Sequence, residues 1–218
     1  MKTTVLSGAA AVIPDIFTYE ALPTETSFRV LELLPGIDDD PISYRLHLAN
    51  LNEPPKYEAL SYVWGESEST EPTMCNRKQL NIRPNLYHAL RQLRQESQSR
   101  ILWADAICID QSRTPERNQQ VRKMILIYRS AQRVLVWLGP DENGQTDVAF
   151  GAILDLDQKK LSAKPGPPLS AEVEHTQSRQ WRSLKWLLSR PWFSRIWVVQ
   201  EVISNPEVLV HCGALEIR

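Results

Sequence analysis

The sequence predicts an α/β fold: a mostly parallel central sheet flanked by helices, with an antiparallel strand pair near the N-terminus. Three observations lead there. From Tyr57 onward, apolar runs and amphipathic stretches alternate as strand, helix, strand, helix, strand, helix, strand, the order of crossover units. Tyr57 to Trp64 is an apolar and aromatic run, as expected for a strand covered on both faces. Upstream, Ile42, Tyr44, Leu46 and Leu48 alternate with polar residues, the period of a half-exposed strand.

The elements follow in order. Residues 1–27 read as a flexible leader, because the apolar stretch after Lys2 is short and broken by Ser7 and Gly8, unlike a signal peptide. The domain proper is 28–218. Phe28 to Leu34 and Ile42 to Leu51 form the strand pair around Pro35-Gly36 and the acidic run Asp38 to Asp40. The central strand stops at Gly65, and a hairpin follows from Thr73 to Ile82. Asn85, after Pro84, is a candidate cap for a helix whose buried face is Leu86, Ala89, Leu90 and Leu93. Arg100 to Ala104 is the next strand, with Asp105 at its carboxyl end. Thr114-Pro115-Glu116 opens a second helix with Val121, Met124, Ile125 and Tyr128 on its apolar face. Arg133 to Leu138 is a buried strand closed by Gly139-Pro140. A helix spans 147–160, and 162–177, with Pro165, Pro167 and Pro168, is a surface loop. Ser178 to Arg190 is amphipathic and Pro191 breaks it. Phe193 to Ile203 is helical and Glu207 to His211 a final strand. Ala214 to Arg218 starts another, so the domain is expected to be incomplete at this end.

Composition narrows the partners. The 218 residues are 42% hydrophobic and carry a formal net charge of −1, with no dense Lys/Arg run, so a nucleic-acid partner is not expected. No segment reaches the roughly 20 apolar residues of a membrane span, so no membrane is expected. Cys75, Cys108 and Cys212 form no CxxC pair, and His47, His88, His175 and His211 do not cluster, so no metal is expected. Free thiols point to a reducing, cytoplasmic setting.

The stretch LWADAICIDQ places Asp105 and Asp110 beside a core strand, where an unpaired carboxylate is costly. In parallel sheets the ligand crevice lies beyond the carboxyl ends of the strands, and both Asp105 and the Trp64-Gly65 corner fall there. Asp105, Asp110 and Gln111 either contact a ligand or order the turns before the Thr114 helix. Trp64-Gly65 shapes a phosphate or ribose pocket, or only a tight turn. Arg117 is placed to pair with Asp110 or Asp105. No GxGxxG or P-loop is present, which disfavours a flavodoxin-type nucleotide enzyme.

Three blocks, YEALSYVWG (57–65), LWADAICIDQ with its continuation to VLVWLG (102–139), and RPWFSRIWVVQE (190–201), resemble the heterokaryon-incompatibility (HET) domain of filamentous fungi. The resemblance runs from about Phe28 to Gly213. The usual second block reads Cys-Ile-Asn-Gln where this chain has Cys108-Ile109-Asp110-Gln111, a departure that keeps an oxygen acceptor. It implies non-self recognition and programmed cell death after fusion of unlike cells, with self-association and an allelic or non-allelic incompatibility partner. HET domains in turn resemble TIR domains, which implies a flavodoxin-like sheet. Tyr57, Ala59, Ser61 and Tyr62 are similar to the first TIR strand box. Trp197 and Glu201 are similar to the TIR segment whose glutamate cleaves NAD. The resemblance therefore implies Glu201 as catalytic residue, with Trp197 and Tyr62 near it, while Asp105, Asp110, Gln111, Trp64 and Gly65 join the candidate ligand contacts from their place at the strand ends. NAD would be a substrate, with no resident cofactor. On chemical grounds a fixed carboxylate stabilises an oxocarbenium-like transition state, and an aromatic residue one helical turn away can stack on a flat ring. The same residues also fit a structural role, with Glu201 paired to Arg195 and Trp197 in the core. In that case the chain is a non-catalytic homotypic module.

Overall fold

A computed structural model describes residues 15–162 and 179–218. Ser27–Leu33 (β1) and Ser43–Asn50 (β2) pair antiparallel along their length, as the two apolar patterns require. Glu58–Tyr62 (β3) is buried from Ala59 to Tyr62, in keeping with its apolar run. Glu71–Cys75 (β4) and Lys78–Ile82 (β5) form the expected hairpin. Its turn, Asn76-Arg77, has positive φ at both residues, the geometry of a tight two-residue turn matched to strand twist.

The helical segments are α1 (Pro84–Leu93), α2 (Asp105–Cys108), α3 (Thr114–Val121), α4 (Met124–Ser130), α5 (Thr146–Ser162), α6 (Arg179–Leu188) and α7 (Val198–Ile203). The remaining strands are β6 (Arg100–Trp103), β7 (Arg133–Trp137), β8 (Val208–Cys212) and β9 (Leu215–Ile217). The sheet order is β5-β4-β2-β1-β6-β3-β7-β8-β9.

The fold is α/β, but the sheet is mixed rather than mostly parallel. The pairs β2–β4, β3–β6, β3–β7 and β7–β8 are parallel. The pairs β1–β2, β1–β6, β4–β5 and β8–β9 are antiparallel. The reason is the position of β1: it sits inside the sheet against β6 and is buried along nearly its whole length. The longest run of parallel neighbours is β6-β3-β7-β8, and β2–β4 is a parallel pair apart from it.

Four local expectations are corrected. Arg83, not Asn85, precedes α1; Asn85 lies inside the helix, where its amide donates to Val63 O and its Oδ1 accepts the Trp137 indole N–H at 3.0 Å. Thr114 is the first residue of α3 rather than its cap. The helix expected beyond Thr114 breaks at Arg122-Lys123, so Val121 and Ile125 are exposed while Ile127 and Tyr128 enter the core. The helix expected over Phe193 to Ile203 is a 3-10 turn at Pro191–Ser194 followed by the shorter α7. The proline-rich loop expected at 162–177 lies, beyond Ser162, outside the described residues, as do residues 1–14 of the leader. From Asp15 the chain packs on the domain: Phe17 N–H donates to Gln79 O at 2.8 Å and the Tyr19 hydroxyl to Ile107 O at 2.9 Å.

A buried ion pair fastens this side of the sheet. Arg29 on β1 meets Glu116 on α3 through two nitrogen–oxygen contacts of 2.6 and 3.2 Å, and also donates to Cys108 O. Glu116 Oε1 accepts the Asp110 N–H at 2.9 Å. Arg117, the sequence candidate for pairing with Asp110 or Asp105, is exposed instead. Removing one member of a buried pair strands the other. Glu116→Ala is therefore expected to cost about 3–5 kcal/mol in denaturant unfolding, and Arg29→Met/Glu116→Leu to recover most of that loss.

Candidate functional site

From β3 the chain passes to β6 on one side and then to β7 on the other, so the crossover direction reverses about β3. A crevice opens where neighbouring connections diverge in this way. Tyr62, Val63 and Trp64 leave β3 into it, and Ala104 and Asp105 leave β6. Gly65 turns the first segment away at φ 78°, a left-handed conformation that strains any residue with a Cβ.

Asp105 organises the crevice. Its Oδ1 accepts the Tyr62 hydroxyl at 2.9 Å, the Ala106 N–H at 2.8 Å and the Trp64 indole N–H at 3.1 Å. Its Oδ2 lies 3.0 Å from the same indole nitrogen. Burial pushes the carboxyl above the usual carboxylate range, and the Tyr62, Trp64 and Ala106 donors act against that rise. The Arg83 guanidinium covers the Trp64 ring at 5.8 Å and donates to Gly65 O, fixing the indole from another side.

Asp110 is buried, and its Oδ1 accepts the Ser112 N–H at 3.1 Å and the Ser112 hydroxyl at 2.6 Å. Gln111 donates to Asp105 O at 2.9 Å. Both residues therefore order the loop before α3.

Two clefts flank Trp64. One, of about 580 Å³, is lined by Phe17, Tyr19, Tyr62, Trp64, Asp110 and Gln111 among others. The other, of about 680 Å³, is lined by Trp64, Gly65, Asp105, Met124, Arg195 and Trp197 among others. Seven of the eight sequence candidates are thus brought together, divided between two hollows that share one indole.

Glu201 lines neither. It follows Trp197 by one helical turn, with its N–H donating to Trp197 O at 3.2 Å, as the spacing required. Trp197 precedes the first residue of α7 and is 54% exposed, whereas Glu201 is 2% exposed. The Glu201 carboxylate accepts the Ser61 hydroxyl and, at 3.2 Å, an Arg195 Nη2 proton. Arg195 also donates to Tyr62 O at 2.6 Å, so it stands between Glu201 and the second cleft. Burial raises the Glu201 carboxyl; Ser61 and Arg195 lower it, and the charge of Asp105 adds to the rise.

Sequence reasoning named Ser61 only within the strand box and missed its partners, Glu201 and Trp192, whose indole donates to Ser61 Oγ at 2.8 Å. The available signal was a hydroxyl in the middle of an apolar strand, where a buried donor demands a partner. Trp103 and Trp137 are buried in the core. Burial pushes the Cys75 and Cys108 thiols up to about 12, which leaves neither as a nucleophile at neutral pH. Among the described residues, no group of three or more His, Cys, Asp or Glu side chains is arranged to hold a metal.

Because the Glu201 carboxyl is raised in the fold, its stabilising contribution is fully present below the ordinary carboxylate range. It is lost as pH climbs toward the raised value. Glu201→Gln is expected to cost about 1 kcal/mol near pH 4, with the deficit relative to wild type shrinking toward neutral pH. Paired denaturant titrations across that range check this, and a deficit that widens with pH would show that the Arg195 pairing dominates instead.

The family model described as "Heterokaryon incompatibility protein (HET)" matches residues 57–201, from the threshold of β3 to Glu201 itself. A curated Neurospora crassa protein, "Heterokaryon incompatibility protein 6, OR allele", is 29% identical over 249 residues. That alignment covers 91% of this chain and 35% of the relative, so the chain spans about a third of its length. No solved structure matches the chain. With more than half of its residues inside the family model, the chain belongs to the heterokaryon-incompatibility (HET) family.

Proposed function

We propose that this domain acts in fungal incompatibility as a cytoplasmic effector of cell death, and that its chemistry is TIR-like cleavage of NAD to nicotinamide and ADP-ribose. The observation that carries the reading is the second cleft: a half-buried carboxylate, Asp105, stands there with the indoles of Trp64 and Trp197. The order β6-β3-β7-β8 adds support, because renumbered along the chain it is 2-1-3-4, the order that begins a flavodoxin-like sheet.

In this reaction the bond from the ribose C1′ to the pyridinium nitrogen breaks. Its electron pair stays with the ring nitrogen and leaves nicotinamide neutral. Water adds to C1′ and loses one proton, so NAD and water give nicotinamide, ADP-ribose and a proton. Positive charge spreads over the sugar at the transition state, where a fixed anion is worth most. The leaving group is already good, and the domain's task is to seat the ring, hold the sugar beside an acid and limit water.

A second reading, a non-catalytic homotypic module, also has its own observation. Ile196, Val199 and Ile203 on and before α7 are strongly exposed, and so are Val121 and Ile125 around the α3–α4 break. Such apolar surface suits contact with another protein, either a second copy or an incompatibility partner.

Incubation of concentrated purified protein with NAD separates the two. Release of nicotinamide is expected from the wild type. Trp197→Ala is expected to lower kcat/KM about tenfold, the loss that follows from removing one aromatic stacking contact. Absence of turnover even when the protein is clustered would favour the homotypic module.

A further inference from the structure

We propose that Asp105, rather than Glu201, is the carboxylate that meets the substrate's positive charge in the cleft beside Trp64 and Trp197, and that Glu201 is a positioning residue acting through Arg195. This rests on the preceding reading for the identity of the substrate, but the binding chemistry stands on its own geometry.

The two acids differ in what they have left to offer. Glu201 is 2% exposed, with one carboxylate oxygen on Ser61 and the other on Arg195. To reach a ligand it would have to abandon both bonds and push aside an arginine that is itself bonded to Tyr62 O. Asp105 lines the cleft directly. Its Oδ1 is saturated by three donors, while Oδ2 accepts only the Trp64 indole and keeps capacity for a further partner.

The charge of the cleft agrees. Its ionisable lining is Glu66, Asp105 and Arg195, and the arginine is already paired with Glu201. What remains uncompensated is negative. Flat indole faces beside a fixed anion recognise a planar cation, which is the pyridinium ring before cleavage and the charged sugar during it. Glu201 contributes by holding Arg195, and Arg195 in turn holds the end of β3 through Tyr62 O. Its loss should therefore move substrate affinity more than the chemical step.

The test compares 1-methylnicotinamide, a pyridinium cation, with neutral nicotinamide, read by quenching of indole fluorescence and by calorimetry on the whole chain. The wild type is expected to prefer the cation by about tenfold, Asp105→Asn to lose the preference, and Glu201→Gln, which leaves the Arg195 charge unpaired, to keep a reduced preference. In the cleavage assay, Asp105→Asn is expected to lower kcat by about a hundredfold or more. Glu201→Gln should raise KM and shift the pH profile while lowering kcat by less than about tenfold. Equal binding of cation and neutral ring by the wild type, or an Asp105→Asn protein that keeps both preference and kcat, overturns the proposal. A wild type that prefers the cation yet releases no nicotinamide overturns the cleavage reading and leaves the Asp105 assignment standing.

Should Asp105→Asn fail to fold, pH replaces it. The groups facing Asp105 are Tyr62, Tyr128, Cys108, Arg195, Glu66 and Glu201, and burial keeps the Cys108 thiol protonated at neutral pH. Burial holds both tyrosine hydroxyls well above their ordinary value, so they stay protonated throughout. In Glu201→Gln, cation binding is expected to tighten as pH rises through the Asp105 titration while neutral binding stays flat. Parallel curves would overturn the proposal.

Discussion

Everything at the functional end of this domain depends on one partly buried carboxylate finding enough donors. Asp105 gathers the Tyr62 hydroxyl, the Trp64 indole N–H and the Ala106 N–H, and so ties the end of β3 to the start of α2. Each of those donors would be costly to leave unpaired in a low-dielectric setting. The orientation of the Trp64 plane follows from that requirement, and with it the shape of the hollows on either side. A strand end that looks anomalous as a sequence, acid directly after an apolar run, is the anchor from which the crevice is built.

Two further acids are handled by a common device. Glu116 and Glu201 are both buried, both belong to short helices, and both meet an arginine and at least one other donor. Arg29 and Glu116 fix the loop of Asp110 and Gln111 against β1. Arg195 and Glu201 fix the segment after α6 against β3. The crevice is thus braced from two directions by ion pairs, one of which reaches its wall through Arg195, and Asp105 and Trp64 are held between them. Such pairs add little net stability compared with apolar packing, yet each makes its local geometry hard to exchange for another.

Much of this was legible in the residues. The apolar periods located the strands and most helices, and the place of Asp105 and the Trp64-Gly65 corner at strand ends followed from the alternation of elements. What periodicity cannot carry is partnership. Nothing local in Ser27–Leu33 distinguishes a strand at the edge from one inserted antiparallel between β2 and β6, so the mixed sheet was not foreseen. The partner of Glu116 lies far back in the chain at Arg29, whereas the nearby Arg117 points to solvent. The four-residue spacing of Trp197 and Glu201 correctly implied one helical turn. It did not reveal that α7 begins only at Val198, which leaves the tryptophan on an exposed shoulder while the acid turns inward to Ser61.

The indole of Trp64 has a consequence of its own. It is a party wall: the ring borders both the hollow of Tyr19 and Tyr62 and that of Trp197, and its nitrogen is bolted to Asp105. An occupant on one side influences the other by swinging that ring or by disturbing the Tyr62 and Gln111 bonds to Asp105. Small guests that leave the ring and those bonds in place are therefore mutually invisible, while a bulky one that displaces them alters both chambers at once and, by linkage, feels its neighbour to the same degree.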